Sequence, residues 1–575
     1  MLARRALRAP ALLALAAAAI VLGRGPTGLG AQSRSATVTP IQHLVVIFGE
    51  NISFDHYFGT YPTAANAGDG QRFRADDGTP PVNGLTGPLL THNPNAFRPE
   101  RLGTTQVLTC DMDHDYTAEQ KAVDGGLMDE FVQFTTGSAA AGSGQYCPPG
   151  ITMDYYDGTT VTAMWTYAQH FALNDNSYST TFGPSTPGAL GVTAGGAAGA
   201  ICGPQSNAVG AIPTCGGGDV SMLACGAPTM PNTCPDPPGN GTTGAITGDA
   251  RPFWDICSSA QTTPPRPADQ LAALQGPNIG DLLNAAHRTW GWFQGGFRLD
   301  ANNSCTTKHA PTLAEQAQGL SFPAGSDPNA NFNYIPHHEP FQYFKSTANP
   351  QHLPPRSVQM IGKTDQANHQ YDIKDFFAAL DAGNLPDVSY LKAPGYQDGH
   401  PAYSDPLDEQ QFDVTVIDAL MQSRFWGSTA VVILYDDSDG WYDHAMPPIV
   451  NRSASAKDVN CGTSSDGTPG RCGYGPRQPL LVISPFARAN YVSHTLTDQS
   501  SVVRFIEDNW LGGERLTGES FDNFAGSLTD MFDFQGGRER ALLLDPLTGE
   551  PTGRFERHYD PDHDSYDGHG YPRNP

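Results

Sequence analysis

The chain has 575 residues, a length that permits two to four domains, and a formal net charge of −26 at pH 7. This acidity argues against a nucleic-acid partner, which would require a basic surface, and it disfavours docking on anionic lipid.

The first 31 residues predict a signal peptide for bacterial export. Arg4, Arg5 and Arg8 precede an apolar stretch from Ala9 to Leu22, and small residues lead to a cleavage point at Ala31. The stretch is short for a membrane span, so we expect cleavage and a secreted or periplasmic protein with no membrane segment. The Sec and twin-arginine routes both remain open, and the sequence does not indicate the oligomeric state.

Ten cysteines fit an oxidising compartment outside the cytoplasm. Cys461 and Cys472 flank a Gly/Ser-rich loop, and we predict that they pair. Four more lie in a Gly/Pro-rich stretch without the paired C-x-x-C spacing of a zinc site, which predicts a disulfide-stapled loop. These four are Cys202, Cys215, Cys225 and Cys234.

The first buried strand is predicted between Pro40 and Gly49, in an apolar run rich in β-branched residues. Glu50 and Asn51 follow directly at its end. Ligands of open α/β sheets bind beyond the carboxyl ends of the strands, and two oxygen ligands there suit a hard divalent metal. An alternative is that Asn51 only caps a helix.

A sharply constrained turn contains Ser185. Gly183, Pro184 and Pro187 restrict the backbone, and a helix is expected to follow. A hydroxyl at a helix N-terminus meets N–H groups that favour phosphate, so Ser185 is a candidate nucleophile, with Thr186 as the alternative. The competing interpretation is a serine that merely caps the helix.

A second buried strand, Ala430 to Tyr435, ends in Asp436 and Asp437. Adjacent buried aspartates repel each other unless a cation neutralises them, although a solvated acidic turn is the alternative. Two strands that each end in oxygen ligands favour a shared metal site. Asp443 and His444 follow closely, and we expect them to orient Asp437 or to buttress the site.

The remaining pattern predicts a single α/β domain over residues 32–540. A third strand is predicted at Leu480–Ile483, and helices are predicted at Val161–Phe171, Phe412–Met421 and Ser500–Leu511. Long insertions are expected near 62–108, 138–150, 196–262 and 300–335, where Gly, Pro, Asn and Thr dominate, and an irregular tail is expected over 541–575. Insertions of this length usually line a site.

These motifs resemble those of the bacterial acid phosphatase and phospholipase C family, a branch of the alkaline phosphatase superfamily. The shared motifs occur in the family's order, as follows: Glu50 to Gly59, Asp113-His114, Gly125 to Asp129, Phe182 to Pro187, His338 to Phe341, His400-Pro401, Asp436-Asp437, Gly440, Tyr442 to His444 and Pro447-Pro448. The resemblance implies an α/β/α sandwich with a central, mostly parallel sheet and long loop insertions.

The resemblance also implies a role for each site residue. Glu50, Asn51, Asp436 and Asp437 would bind one divalent metal ion together with Ser185, the nucleophile. Oxygen-only ligation favours Mg²⁺, Ca²⁺ or Mn²⁺, and nearby histidines keep Zn²⁺ open.

Three histidines would bind phosphate and assist the leaving group: His114, His338 and His400. We expect them to act partly as cations, which would favour acidic pH. His337 departs from the family pattern, because an acidic residue is expected before His338. The spacing of Asp398 from His400 also departs, since the acid and the histidine adjoin in relatives.

The predicted function is an exported phosphomonoesterase, an acid phosphatase that forms a phosphoserine intermediate. A phospholipase C is the alternative. Many phospholipases of this family carry β-rich domains after the catalytic part, and the residues after Phe534 are too few for a β-sandwich. A sulfatase is disfavoured by the absence of a C-x-P-x-R motif. A phosphate-ester binding protein without activity is the alternative from another class.

Overall fold

The structure is a computed structural model. It describes residues 37–136, 147–202, 243–258, 271–299, 305, 333–450, 458, 460–461, 470–518, 520–536 and 541–552. The predicted signal peptide, residues 203–242 of the cysteine-rich insertion, and the tail after residue 552 lie outside the described residues.

The strands, in chain order, are β1 His43–Gly49, β2 Ala172–Asn174, β3 Ser177–Tyr178, β4 Ala198–Cys202, β5 Thr243–Ala245, β6 Arg251–Pro252, β7 Leu271–Leu274, β8 Trp290–Gln294, β9 Gln370–Asp372, β10 Val388–Lys392, β11 Thr429–Tyr435, β12 Leu480–Ile483, β13 Tyr491–Ser493 and β14 Thr497–Asp498. The α-helices are α1 Phe54–Phe58, α2 Pro88–Thr91, α3 Tyr116–Val123, α4 Phe131–Phe134, α5 Thr162–His170, α6 Ser185–Ala194, α7 Ile279–Ala285, α8 Ile373–Asp381, α9 Pro406–Gln422 and α10 Ser500–Trp510.

Eight strands form the central sheet in the order β13-β2-β12-β11-β1-β10-β8-β9. β12 runs antiparallel to both of its neighbours, and the other pairings are parallel. The predicted, mostly parallel α/β sheet is therefore confirmed. The third predicted strand, β12, points the opposite way from β1 and β11, so its carboxyl end lies at the other edge of the sheet.

Helices cover both faces of this sheet. The Tyr390 hydroxyl on β10 donates to the Val192 carbonyl of α6 at 3.3 Å. The Tyr435 hydroxyl on β11 donates to Glu409 of α9 at 2.7 Å. Tyr390 pairs with Val46 and Tyr435 pairs with Gly49, so the two tyrosines point to opposite faces. This is the expected α/β/α sandwich.

The expected helices differ from the observed ones mainly in their starting points. α9 begins six residues before the predicted Phe412, because Pro406 occupies its first turn and Asp405 caps it through the N–H groups of Leu407 and Asp408. α8 was not predicted, although Asp372 and Asp375 form a capping box at its start.

The insertion near 196–262 contributes to a second sheet rather than forming only loops. In the described residues, four short strands pair in the order β5-β4-β7-β6. Each strand has two to five residues, which is too short for a period-2 pattern to stand out in a Gly/Ala-rich sequence.

Three disulfides are described: Cys110–Cys147, Cys257–Cys305 and Cys461–Cys472. The last is the pair predicted from the sequence. Among the described residues, no helix is both long enough and apolar enough to cross a membrane.

Candidate phosphoesterase site

The parallel pairing of β1 with β11 brings the two acidic strand ends together. Gly49 pairs with Tyr435, so Glu50 and Asp436 leave the sheet side by side. The Asn51 backbone, at a φ of 63°, turns its N–H toward Asp436 Oδ1 at 2.8 Å. Two segments nearly four hundred residues apart thus meet at one edge, as the sequence predicted.

Ser185 is the first residue of α6, and its side chain reaches these carboxylates. Ser185 Oγ lies 3.1 Å from Glu50 Oε2 and 3.2 Å from Asp437 Oδ2. Gly188 makes this approach possible, since a Cβ at that position would lie 2.1 Å from the Asp436 carbonyl oxygen. All five residues proposed as metal ligands therefore lie in one buried cluster.

Thr186, the alternative nucleophile, is held elsewhere. Its N–H and hydroxyl both lie within 3.1 Å of Asp249 Oδ1, and its hydroxyl also lies 3.4 Å from the Tyr343 hydroxyl. The Ser185 hydroxyl contacts the acidic cluster and the Thr186 hydroxyl contacts Asp249, so the geometry favours Ser185 as the nucleophile.

The acidic cluster carries more negative charge than its protein neighbours neutralise. Burial and the Asp436 carboxylate raise the pKa of Glu50 well above its usual range, and burial with Asp436 does the same to the pKa of Asp437. Burial opposes the ionisation of Asp436, but Lys392 and hydrogen bonds lower its pKa. Lys392, fully buried at the end of β10, forms an ion pair with Glu50.

The residues fit a divalent cation. Among the described side chains, Asn51 Oδ1 and Asp436 Oδ2 are buried oxygens without a hydrogen-bond partner. Such atoms are costly in a folded protein unless an ion or water binds them. With Ser185 and the carboxylates of Glu50 and Asp437, they form an all-oxygen donor set of the kind that hard divalent metals prefer.

His114 lies beside the acidic loop that follows β11. Its Nδ1 lies 2.7 Å from the Met112 carbonyl oxygen and 3.3 Å from Asp439 Oδ1. Both groups accept, so Nδ1 carries the proton and Nε2 is the nitrogen oriented away from them. Burial opposes a charge here, but the carboxylates of Asp437 and Asp439 raise the pKa of His114 well above its ordinary value.

His338 and His400 also lie close to the acidic cluster. His338 Nδ1 lies 3.2 Å from Glu50 Oε1 and 3.9 Å from Asp398 Oδ2. His400 Nδ1 lies 2.6 Å from the Pro401 carbonyl oxygen, and the His400 ring is 6.3 Å from the His114 ring. The three predicted histidines are therefore brought to the same site.

The surroundings of His338 disfavour the cationic state that the sequence led us to expect. Burial, together with the neighbouring His337, Lys392 and His400, lowers its pKa well below the ordinary value. The residue before it is a second histidine rather than the carboxylate expected in relatives, so its sequence neighbour does not support a positive charge. The direction of this shift in pKa favours the neutral imidazole at His338.

Of the two roles expected for Asp443 and His444, orienting Asp437 or buttressing the site, the contacts favour the second. Asp443 accepts from the Arg477 guanidinium at 3.1 Å and from the Asp55 N–H at 3.1 Å. His444 Nδ1 lies 2.6 Å from Asp55 Oδ2. Among the described contacts, none joins either residue to Asp437. Both residues contact Asp55 of α1, the helix that follows Glu50 and Asn51, and so they support the site indirectly.

Four residues of the site received no role from the sequence: Glu119, Asp249, Lys392 and Asp439. A signal existed for Lys392, because Val388 to Leu391 is a short strand-like run that ends at it. Asp249 belongs to the region expected to be loop. No local pattern distinguishes Glu119 from a surface helix residue.

A family model described as the Phosphoesterase family matches residues 41–511. The chain belongs to this family. It is 24% identical to the hemolytic phospholipase C of Pseudomonas aeruginosa over 533 residues, which cover 90% of this chain and 59% of that protein.

Two further similarities are shorter. The non-hemolytic phospholipase C of Pseudomonas aeruginosa is 30% identical over 166 residues, covering 27% of this chain and 24% of that protein. Phospholipase C A of Mycobacterium tuberculosis is 28% identical over 183 residues, covering 30% and 35%. The chain spans less than two thirds of each of these relatives.

Proposed function

We propose that this protein is an exported, metal-dependent phosphoric ester hydrolase that works through a phosphoserine intermediate on Ser185. The observation that carries the proposal is the position of Ser185 Oγ, which lies within 3.2 Å of Glu50 and Asp437 at the start of α6. Membership of the Phosphoesterase family supports the reaction class.

In this proposal Glu50, Asn51, Ser185, Asp436 and Asp437 hold one divalent metal ion. When bound, the ion supplies positive charge that favours the serine alkoxide and offsets the charge of the phosphoryl oxygens. Three carboxylates against the single cation of Lys392 favour a dication at this position.

The proposed reaction has two displacements. Ser185 Oγ attacks phosphorus while its proton passes to one of the adjacent carboxylates, and the bond from phosphorus to the leaving oxygen breaks. A histidine among His114, His338 and His400 gives a proton to the leaving alkoxide. Water then attacks the phosphoserine and gives a proton to the histidine that lost one. The bond from phosphorus to Ser185 Oγ breaks, the carboxylate returns its proton to Oγ, and inorganic phosphate is released.

The leading substrate class is the phosphomonoester. A dication and Lys392 would balance Glu50, Asp436 and Asp437, so the cluster would no longer repel an anionic phosphoryl group. Phospholipase C activity is the second candidate, favoured by the three phospholipase C relatives.

A substrate panel distinguishes the candidates. The enzyme is assayed with p-nitrophenyl phosphate, bis-p-nitrophenyl phosphate and phosphatidylcholine, each with and without a chelator. A phosphatase turns over the monoester best, whereas a phospholipase C releases phosphocholine from the lipid. Turnover that a chelator leaves unchanged would contradict the metal assignment, and no turnover of any ester would favour a binding protein.

A further inference from the structure

Glu119 is a buried carboxylate at the junction of three segments of the site. It lies on α3 and is 2% exposed. The helix begins two residues after His114, so Glu119 is carried by the same segment as that histidine. The other two segments are the turn that precedes Ser185 and the acidic loop after β11.

Each oxygen of Glu119 accepts from a different segment. Oε2 accepts from the Gly183 N–H at 2.9 Å, two residues before Ser185. Oε1 accepts from the Ser438 hydroxyl at 2.6 Å, directly after Asp437. One side chain therefore spans the nucleophile turn and the ligand loop.

The Gly183 N–H and the Ser438 hydroxyl both direct a proton at the Glu119 carboxylate. Ser438 Oγ already accepts from the Gly440 N–H at 3.1 Å, so its own proton is directed to Glu119. Gly183 has a φ of 116°, and its N–H points away from α6 toward the carboxylate. A buried N–H or O–H without an acceptor is costly, so each contact fixes the segment that donates it.

We propose that Glu119 is a positioning residue, which sets the distance between the Ser185 hydroxyl and the carboxylates of Glu50 and Asp437. This inference rests on the proposed function of Ser185 as nucleophile. Glu119 contacts neither of the two hydroxyls at the start of α6, and it acts through Gly183 and Ser438. A misplacement of about 1 Å at a reacting group can cost about 10²-fold in rate.

Two variants distinguish the effect of the length of the Glu119 side chain from the effect of its negative charge. Glu119→Gln keeps the length of the side chain. Its amide oxygen can accept from Gly183, and its NH₂ can donate to Ser438 Oγ, so both segments stay joined although the Ser438 proton must turn to another acceptor. Glu119→Asp keeps the charge but is one methylene shorter, so it cannot reach both donors. Gln120→Ala is the matched control, because Gln120 is buried on the same helix and bonds to the Tyr116 carbonyl and the Asn460 N–H instead.

We measure kcat, KM and the burst of p-nitrophenol on the intact protein, with metal content and thermal unfolding checked for each variant. Glu119→Asp is expected to lower kcat and the burst rate at least about tenfold with metal content retained. Glu119→Gln and Gln120→Ala should stay within about threefold of wild type. If Glu119→Asp does not fold, Ser438→Ala replaces it, with an expected loss in kcat of at least about threefold.

Two results would overturn the inference. One is a folded Glu119→Asp, or its substitute Ser438→Ala, with kcat and burst rate like wild type. The other is a Glu119→Gln as impaired as Glu119→Asp, which would mean that charge and not reach matters. Ser185→Ala is assayed in parallel: if it stays active, the proposed nucleophile is wrong, whereas an inactive Ser185→Ala with a normal Glu119→Asp refutes only the positioning role.

Discussion

Ser185 differs from its neighbour Thr186 in what surrounds its hydroxyl. Ser185 lies between two carboxylates at the carboxyl edge of the sheet, and Thr186 is bound to Asp249 and lies beside the Tyr343 hydroxyl. Sequence alone left both open, because either hydroxyl could follow the Gly-Pro turn. The packing of α6 against Asp436 through Gly188 favours Ser185.

Ser185→Ala is expected to lower turnover of p-nitrophenyl phosphate by at least about 10³-fold, because the covalent route is lost. Thr186→Val is the matched control, since it removes a hydroxyl from the same helix turn and should cost far less. The measurement is steady-state turnover of folded, metal-loaded protein. Turnover of Ser185→Ala within tenfold of wild type would refute the assignment.

Asp436→Asn should weaken metal binding and turnover together, each by at least about tenfold, because it removes a charge that attracts the dication. Asp77→Asn, at an exposed aspartate, serves as the control. Metal content measured by mass spectrometry after dialysis checks the result. A metal-free variant with full activity would show that these acids do not bind the required ion.

At the level of elements, a buried ion-pair brace supports the site. Arg477, fully buried ahead of β12, donates to Asp443 and to Asp55 of α1, and His444 adds a second contact to Asp55. The brace ties α1, which follows the Glu50-Asn51 turn, to the chain between β11 and β12. Its geometry explains the Asp443-His444 motif as a packing feature.

Arg477→Met should destabilise the protein by about 3–5 kcal/mol, because two buried carboxylates lose their cation. Arg98→Met, at a residue whose side chain is 63% exposed, should change the free energy of unfolding by less than about 0.5 kcal/mol. Urea unfolding of both variants tests this. Equal changes in the free energy of unfolding for the two variants would show that the buried ion pairs of Arg477 do not stabilise the protein more than a surface arginine does.

His444 gives the brace a pH dependence. Burial opposes its charge, but the Asp55 carboxylate raises its pKa above the ordinary value. A histidine whose pKa is higher in the folded than in the unfolded protein makes its full contribution to stability below the unfolded-state pKa of about 6.5. This contribution is lost as the pH rises through the folded-state pKa. The difference in unfolding free energy between wild type and His444→Gln should therefore shrink on the alkaline side.

Urea unfolding of these two proteins between about pH 5 and 9 tests this window, which brackets the ordinary histidine pKa. The exposed His92→Gln is the control. A difference for His444→Gln that does not change with pH would mean that its contact with Asp55 is not an ion pair.

Across the whole molecule, the sequence predicted two of the strands that carry the site, β1 and β11, but not β10 or everything between them. β1 and β11 are long and apolar, and each is followed by carboxylates. The sequence pattern therefore predicted where both strands lie and that their carboxyl ends meet at the same edge of the sheet. The direction of β12 did not, because apolar runs look alike in either orientation. Contacts such as that of Glu119 with Gly183 and Ser438 join residues far apart in the chain and leave no local pattern.

Export is the whole-molecule prediction. The protein recovered from outside the cytoplasm should begin near Gln32, because the charged and apolar segments before it form a cleavable signal. Mass spectrometry of the N-terminal peptide checks this. A protein that retains Met1 would contradict the predicted route.

The covalent intermediate is the central claim, and trapping it is the most direct test. Enzyme mixed with p-nitrophenyl phosphate is acid-quenched within one turnover and digested, and its phosphopeptides are sequenced by mass spectrometry. The phosphoserine mechanism predicts a burst of about one p-nitrophenol per active site and phosphate on Ser185. Full turnover with phosphate on no residue, or on Thr186 instead, would contradict it.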